Sequence, residues 1–196
     1  MSNAALLLIG FQNDYFSKKG ILNSLISESS HITGVLENTF KLIETHSDKF
    51  KTIISTPICF TDDYSELTNP VGILNAIKEA GAFKKGTFGA EEIAQIKELD
   101  NIITTIPGKR GLNAFSNTKL ETYLRELNID HIVLSGTVTS ICIDSTGRAA
   151  HEKGFNVTVL TDCTSSRTPF EQQFYCENVF PLYANVVDSH EVISLL

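Results

Sequence analysis

Short apolar runs alternate with longer segments of helical periodicity along most of the chain. Ala5–Ile9 is a continuous apolar run, which is typical of a strand buried on both faces. The further predicted strands are Thr52–Ser55, Asn101–Ile106, His131–Ser135, Phe155–Leu160 and Ala184–Val187. Apolar residues at helical spacing predict the helices His31–His46, Val71–Glu79, Ala90–Leu99, Asn117–Leu127, Thr139–Lys153 and Pro169–Leu182. Ser189 is the predicted N-cap of a short last helix.

This alternation predicts a three-layer, doubly wound α/β fold, with helices on both faces of a parallel six-stranded sheet. No repeat or linker interrupts the 196 residues, so residues 1–196 are predicted to form a single domain. Ligands in such folds bind at the carboxyl ends of the strands. The loops of interest are therefore Gly10–Phe16, Pro57–Pro70, Pro107–Phe115, Gly136–Cys142 and Thr161–Pro169.

Composition narrows the possible partners and the cellular compartment. The net charge is −7 and no block of Lys or Arg is present, so nucleic acid and anionic membranes are poor partners. No apolar run approaches the roughly 18 residues that a membrane span needs. The first apolar run resembles a buried strand more than a signal peptide, so a cytoplasmic location is expected. The four cysteines are too few for a disulfide scaffold and should be thiols there.

Cys142 is the first candidate for chemistry. It follows the fourth predicted strand and lies in the first turn of the predicted helix Thr139–Lys153. The free N–H groups and the dipole at a helix N-terminus favour a thiolate and could hold the oxyanion of an acyl intermediate. On this segment alone, the commoner role is that of a small core residue, in a stripe with Ser145 and Ala149.

Lys109 follows the third predicted strand and is the second candidate. A lysine there can stabilise a thiolate or a developing oxyanion, although a solvated loop cation is the commoner role. The five histidines show no zinc spacing, so neither a metal nor a cofactor is predicted. Cys142 and Cys163 lie at the ends of neighbouring segments, which leaves a redox pair as an alternative, although no CxxC motif supports it.

The ordered set of motifs resembles the isochorismatase-like hydrolases, a family of small α/β cysteine hydrolases. The segments that carry the resemblance are Leu7–Phe16, Gly86–Glu91, Lys109–Phe115, Gly136–Cys142 and Val157–Asp162, which together span nearly the whole chain. The resemblance implies a triad of Asp, Lys and Cys, with Lys109 as the lysine and Cys142 as the nucleophile. It also implies a cis peptide bond between Thr137 and Val138, which helps to aim the N–H groups of Val138 and Cys142 as an oxyanion hole.

The resemblance has two further implications. Asp14 in the opening motif and Phe115 in the lysine motif are candidate binding residues of the site. The family also implies a homo-oligomer whose substrate or ligand is a small molecule.

Gly10 is the main departure, because it stands where the family has its catalytic aspartate. That carboxylate takes the thiol proton and delivers it to the leaving amine, and glycine can do neither. Disabling one member of a hydrolytic triad costs on the order of 10⁴ in turnover. Asp14, Asp62 and Asp63 are the nearest carboxylates in sequence, although Asp14 fits better as a residue that orders the first loop.

Two functions follow from this pattern. The first is a hydrolase that cleaves a small amide or related C–N bond through a Cys142 thioester and is impaired by Gly10. The second is an inactive relative that binds a small ligand or acts as an oligomeric interaction protein. Isochorismate hydrolysis is disfavoured, because family members with that activity rely on the aspartate and can dispense with the cysteine. The metal site of nicotinamidase-like relatives is not matched, since residues 56–64 contain no histidine.

Overall fold

The computed structural model describes residues 3–196 and contains one parallel six-stranded sheet. The strand order is β3-β2-β1-β4-β5-β6, in which β1 and β4 are the central neighbours. The strands are β1 (Ala4–Ile9), β2 (Thr52–Thr56), β3 (Ile103–Thr105), β4 (His131–Thr137), β5 (Asn156–Ser165) and β6 (Asn185–Val187). The predicted doubly wound α/β fold is confirmed, and its order is that of a dinucleotide-binding type of sheet.

Helices cover both faces of the sheet. Within the described residues they are α1 (Asn13–Phe16), α2 (Asn23–Thr33), α3 (Val35–His46), α4 (Gly72–Ala80), α5 (Ala94–Glu98), α6 (Leu120–Glu126), α7 (Asp144–Glu152) and α8 (Pro169–Phe174). None of the helices in this part of the chain is long and apolar enough to cross a membrane.

β1 is buried on both faces, as its unbroken apolar run predicts. Its residues Ala5, Leu7 and Ile9 belong to the same core as apolar residues of α6 and α7. The alternate residues Ala4, Leu6 and Leu8 belong to the core shared with α3 and α5. Each fully buried leucine or isoleucine contributes about 1.5–3 kcal/mol, so these two cores hold β1 firmly between the helix layers.

Two predicted helices have different bounds in the structure. The segment His31–His46 contains the end of α2 and the whole of α3, because the chain turns in a left-handed conformation at Gly34. The segment Ala90–Leu99 is helical only in α5. Residues 91–93 instead pair with the loop after β1, where the Ile93 N–H donates to the Phe11 carbonyl at 3.1 Å.

Two other predicted helices contain wider turns. The segment Thr139–Lys153 begins as a π-helical turn, Thr139–Ile143, and continues as α7. The segment Pro169–Leu182 begins as α8, continues as a second π-helical turn and ends in a 3₁₀ turn. Apolar spacing does not distinguish a π turn from an α turn, whereas such turns often mark functional sites. The predicted N-cap at Ser189 is wrong, because its hydroxyl donates to the Asp162 carboxylate at 2.6 Å.

The segment after β1 fastens several loops at the carboxyl ends of the strands. The Gln12 amide donates to the carbonyls of Ile58 and Ala90, and its oxygen accepts the Ile58 N–H at 2.8 Å. The Asp14 carboxylate accepts the N–H groups of Ile21 at 3.1 Å and Phe83 at 2.6 Å. Asp14 therefore orders the first loop and ties it to the segment after α4.

We expect Asp14→Ala to lower the free energy of unfolding by about 1–3 kcal/mol, because the buried Phe83 N–H loses its acceptor and an unpaired buried group costs about that much. Urea denaturation measures this change. Asp62→Ala is the matched control, since that side chain is exposed and should change stability by less than about 0.5 kcal/mol. Equal losses in the two variants would contradict the structural role of Asp14.

Candidate active site

The strand order reverses between β1 and β4, and several of the sequence-predicted site residues lie near this point. Gly10 follows β1, whose last residue pairs with Gly136 of β4. Ligands of doubly wound sheets bind in the crevice at such a switch point. The loops above it form a cap cluster of apolar residues, namely Tyr15, Ile26, Ile58, Phe60, Tyr64, Leu67, Ile77, Ala82, Phe83 and Val138.

Lys109 and Cys142 meet in this region. The Lys109 Nζ lies 3.5 Å from the Cys142 Sγ and 2.6 Å from the Gly111 carbonyl oxygen. Lys109 is 2% exposed and Cys142 is 6% exposed. No carboxylate among residues 3–196 forms an ion pair with Lys109. An ammonium in this position can stabilise negative charge that develops on the sulfur or on a carbonyl compound bound beside it.

The main chain around Lys109 is held on two sides. Lys109 forms a parallel bridge with Ile58, which extends the sheet beyond β2, and the Cys59 N–H donates to the Lys109 carbonyl at 3.1 Å. Five residues later, the Ala114 N–H donates to the Thr146 hydroxyl of α7 at 3.1 Å. The loop from Lys109 to Ala114 is therefore fixed both to the sheet and to α7, the helix that follows Cys142.

Cys142 lies on the π-helical turn Thr139–Ile143. The sequence had predicted the first turn of an α-helix instead. The N–H groups of Ile141 and Ile143 both donate to the Val138 carbonyl, at 3.0 and 3.2 Å. The peptide bond between Thr137 and Val138 is cis, as the family resemblance implied.

A charged network braces the start of this turn. The Ser166 hydroxyl donates to Glu171 at 2.6 Å and lies 3.3 Å from the Ser140 hydroxyl. Burial alone would raise the pKa of Glu171, but hydrogen bonds from Arg167, Ser166 and Ser140 outweigh burial and lower this pKa to about 2. Glu171 is therefore a carboxylate at neutral pH, and it connects α8 to the π-helical turn that carries Cys142.

The backbone at Gly10 is specific to glycine. Its φ is +75°, and a Cβ there would lie 2.6 Å from the Thr137 carbonyl oxygen. The Gly10 carbonyl also accepts the Gln12 N–H at 2.8 Å, which closes a tight turn. An aspartate at this position would need a different local backbone. Gly10 therefore differs from an aspartate in its backbone conformation as well as in its side chain.

The three carboxylates that the sequence offered near the site, Asp14, Asp62 and Asp63, have other surroundings in the structure. Asp14 uses its oxygens on backbone N–H groups of the first loop. Asp63 is exposed and accepts hydrogen bonds from Thr61 and Ser65 of its own loop, which lower its pKa. Asp62 is exposed as well. Within residues 3–196, no group of three or more His, Cys, Asp or Glu side chains is arranged to hold a metal ion.

Phe115 lies towards the far end of α7 from Cys142. Its ring stacks on Phe155 with centroids 6.1 Å apart, and the Lys153 Nζ lies 5.7 Å from its centroid. Its described contacts are thus those of a core residue. Cys163 packs in the core on the opposite face of the sheet from Cys142. The two thiols therefore do not form the redox pair that the sequence left as an alternative. Burial, followed by the charge of Asp162, raises the pKa of Cys163.

Tyr15 is a site residue that the sequence reasoning missed. It lies in α1 and is 4% exposed, and its Cε2 lies 3.4 Å from the position of a Cβ on Gly10. Burial, then the charges of Cys142 and Asp14, raise the pKa of Tyr15 well above its usual value. Its position directly after the Gln12–Asp14 segment was the available signal, but its proximity to Gly10 depends on the fold of the loop.

Comparisons with known proteins place this chain in a family. The Isochorismatase domain family model matches residues 4–191. Ureidoacrylate amidohydrolase RutB of Cronobacter sakazakii is 27% identical over 198 aligned residues, which cover 94% of this chain and 84% of that protein. The isochorismatase family protein YecD of Escherichia coli O157:H7 is 36% identical over 88 residues, a match that spans 45% of this chain and 47% of that protein.

A solved structure supports the same assignment at the level of the fold. The isochorismatase family protein from Desulfovibrio vulgaris has a TM-score of 0.82 and 21% identity, and the match covers 100% of this chain and 98% of that one. Because the family model spans nearly the whole sequence and the solved structure shares the fold, the chain belongs to the isochorismatase family.

Proposed function

We propose that this protein is a cysteine hydrolase that cleaves a small amide or a related C–N bond through a thioester at Cys142. The observation that carries the proposal is the contact between the Lys109 Nζ and the Cys142 Sγ, at 3.5 Å, between two almost fully buried residues. The substrate class is supported by the full-length similarity to a ureidoacrylate amidohydrolase.

The proposed reaction begins when the Cys142 sulfur attacks the carbonyl carbon of the substrate. By the family resemblance, the N–H groups of Val138 and Cys142 hold the resulting oxyanion. The Lys109 ammonium stabilises the thiolate before attack and the negative charge that develops afterwards. The C–N bond then breaks, the amine leaves with a proton, and water hydrolyses the Cys142 thioester.

Gly10 impairs the proton transfers of this reaction more than the attack itself. Expulsion of an amine needs a proton donor, and the family's donor is the aspartate that Gly10 replaces. Turnover is therefore proposed to be slower than that of a complete triad, by a factor on the order of 10⁴ where nothing replaces the aspartate.

A relative that binds a small ligand without turning it over is the second candidate. The Gly10 backbone favours it, because the close approach to the Thr137 carbonyl leaves no room for a side chain in this conformation. Either function uses the same site, and self-association of the chain stays a prediction for both.

With a panel of small amides, ureides and carbamoyl compounds, we expect slow hydrolysis by the wild-type protein that falls to background in Cys142→Ala. Ammonia or amine release measures the rate. Cys176→Ala is the control, because burial raises the pKa of that thiol to about 11 and keeps it protonated. Saturable binding of a panel compound without any turnover would favour the second candidate over the hydrolase.

Iodoacetamide at pH 7 should alkylate Cys142 before the other cysteines, because burial raises the pKa of Cys59, Cys163 and Cys176. We expect Lys109→Met to slow alkylation of Cys142 about tenfold, which corresponds to about 1.4 kcal/mol of lost ion pairing. Peptide mass spectrometry over time measures each site.

Lys85→Met is the matched control for this experiment. The Lys85 charge acts to lower the pKa of Cys59, so its removal should slow Cys59 and leave Cys142 unchanged. Alkylation of Cys142 at the wild-type rate in Lys109→Met would remove the activated nucleophile from the proposal.

Gly10→Ala and Gly10→Asp should each lower the free energy of unfolding by about 1–3 kcal/mol, because any side chain meets the Thr137 carbonyl at a positive φ. We expect Gly10→Asp to hydrolyse amides no faster than Gly10→Ala, since the aspartate cannot adopt this backbone. Amide hydrolysis by Gly10→Asp, with none by the wild-type protein or Gly10→Ala, would show that the site accepts the family's carboxylate. That result would support the second candidate.

A further inference from the structure

Tyr15 lies on the side of the site from which the carboxylate is missing. Its ring edge is 3.4 Å from the position that a Gly10 Cβ would occupy. The ring packs on Phe83 with centroids 5.0 Å apart, and the Asn23 amide donates to the Tyr15 carbonyl at 2.7 Å. Both the ring and the main chain of Tyr15 are therefore held beside Gly10.

The Tyr15 hydroxyl is not used by the fold. Within residues 3–196 it forms no hydrogen bond, whereas every fully buried side-chain nitrogen or oxygen in this part of the chain has a partner. The hydroxyl oxygen therefore borders accessible space. Tyr64 of the same cap cluster differs, because its hydroxyl donates to the Ala82 carbonyl at 2.8 Å.

The electrostatic surroundings of these two tyrosines differ as well. After burial, the charge of Cys142 is the next cause that raises the pKa of Tyr15, so the phenol oxygen lies within the field of the nucleophile. For Tyr64 the corresponding charges are those of Asp14 and Cys59. Tyr15 therefore stays a neutral phenol that carries a proton at physiological pH, and its raised pKa makes it a weaker acid than an exposed tyrosine.

From this placement we propose that the Tyr15 hydroxyl is a catalytic proton donor of the acylation step, which protonates the leaving nitrogen in place of the family's aspartate. This inference rests on the proposed cysteine hydrolase function. A phenol is a weaker acid than a carboxylic acid, so the replacement restores part of the lost rate.

The proton transfers balance over one turnover. As the C–N bond of the tetrahedral intermediate breaks, the nitrogen takes the Tyr15 proton and leaves as a neutral amine, and Tyr15 becomes a phenolate. Water then attacks the thioester and gives a proton to that phenolate. Collapse of the second intermediate breaks the C–S bond, which releases the carboxylic acid and restores the Cys142 thiolate.

Tyr15→Phe tests this step, because it removes only a hydroxyl that makes no hydrogen bond in the described chain and should fold like the wild type. The experiment compares hydrolysis of a small amide with the burst of p-nitrophenolate from the ester of the same acyl group. An amine needs a proton to leave, but p-nitrophenolate does not. We expect amide turnover to fall about 10²-fold and the ester burst rate to change less than about twofold.

Tyr64→Phe is the matched control, and we expect it to change amide turnover and the ester burst rate by the same factor. An equal loss of both reactions in Tyr15→Phe would overturn the proposal, because it would indicate a structural role. Unchanged amide turnover would overturn it as well. A wild-type protein without a Cys142-dependent ester burst would refute the hydrolase function, and the role of Tyr15 with it.

Discussion

The buried charge of Lys109 is the constraint on which the site depends. An ammonium removed from water is unfavourable unless a negative charge or several acceptors compensate for it. Here its described contacts are the Gly111 carbonyl and the Cys142 sulfur. The strand order, the bridge from Lys109 to Ile58 and the π-helical turn all serve to bring this lysine and this thiol together. The pair therefore defines the site more strongly than any single motif.

Gly10 limits the proton transfers that the proposed mechanism can make at the Lys109–Cys142 pair. The backbone at this position follows a path that only glycine adopts readily, so the proposed mechanism has no carboxylate here to carry a proton. The contact between Lys109 and Cys142 does not depend on that carboxylate, so the proposed attack on a carbonyl is retained. The proton for the leaving group then has to come from another neighbour, and the Tyr15 phenol is the side chain that the loop places beside the gap.

The fold and the nucleophile were predictable from the sequence because they depend on local patterns. Continuous apolar runs predict buried parallel strands, and the order of motifs indicates Lys109 and Cys142. The division of His31–His46 at Gly34 and the π turn at Cys142 were not predictable from apolar spacing. Tyr15 was missed because its proximity to Gly10 depends on how the loop between β1 and α1 folds, which apolar spacing does not indicate. Phe115 shares a sequence motif with Lys109, but its described contacts lie in the core.

The most direct test is peptide mass spectrometry of the wild-type protein, quenched in acid during turnover of an amide that it hydrolyses. We expect an adduct of the acyl mass on the peptide that contains Cys142, removable by hydroxylamine and absent from Cys142→Ala. Continued product formation with no adduct on Cys142, or with the adduct on another residue, would contradict the thioester mechanism.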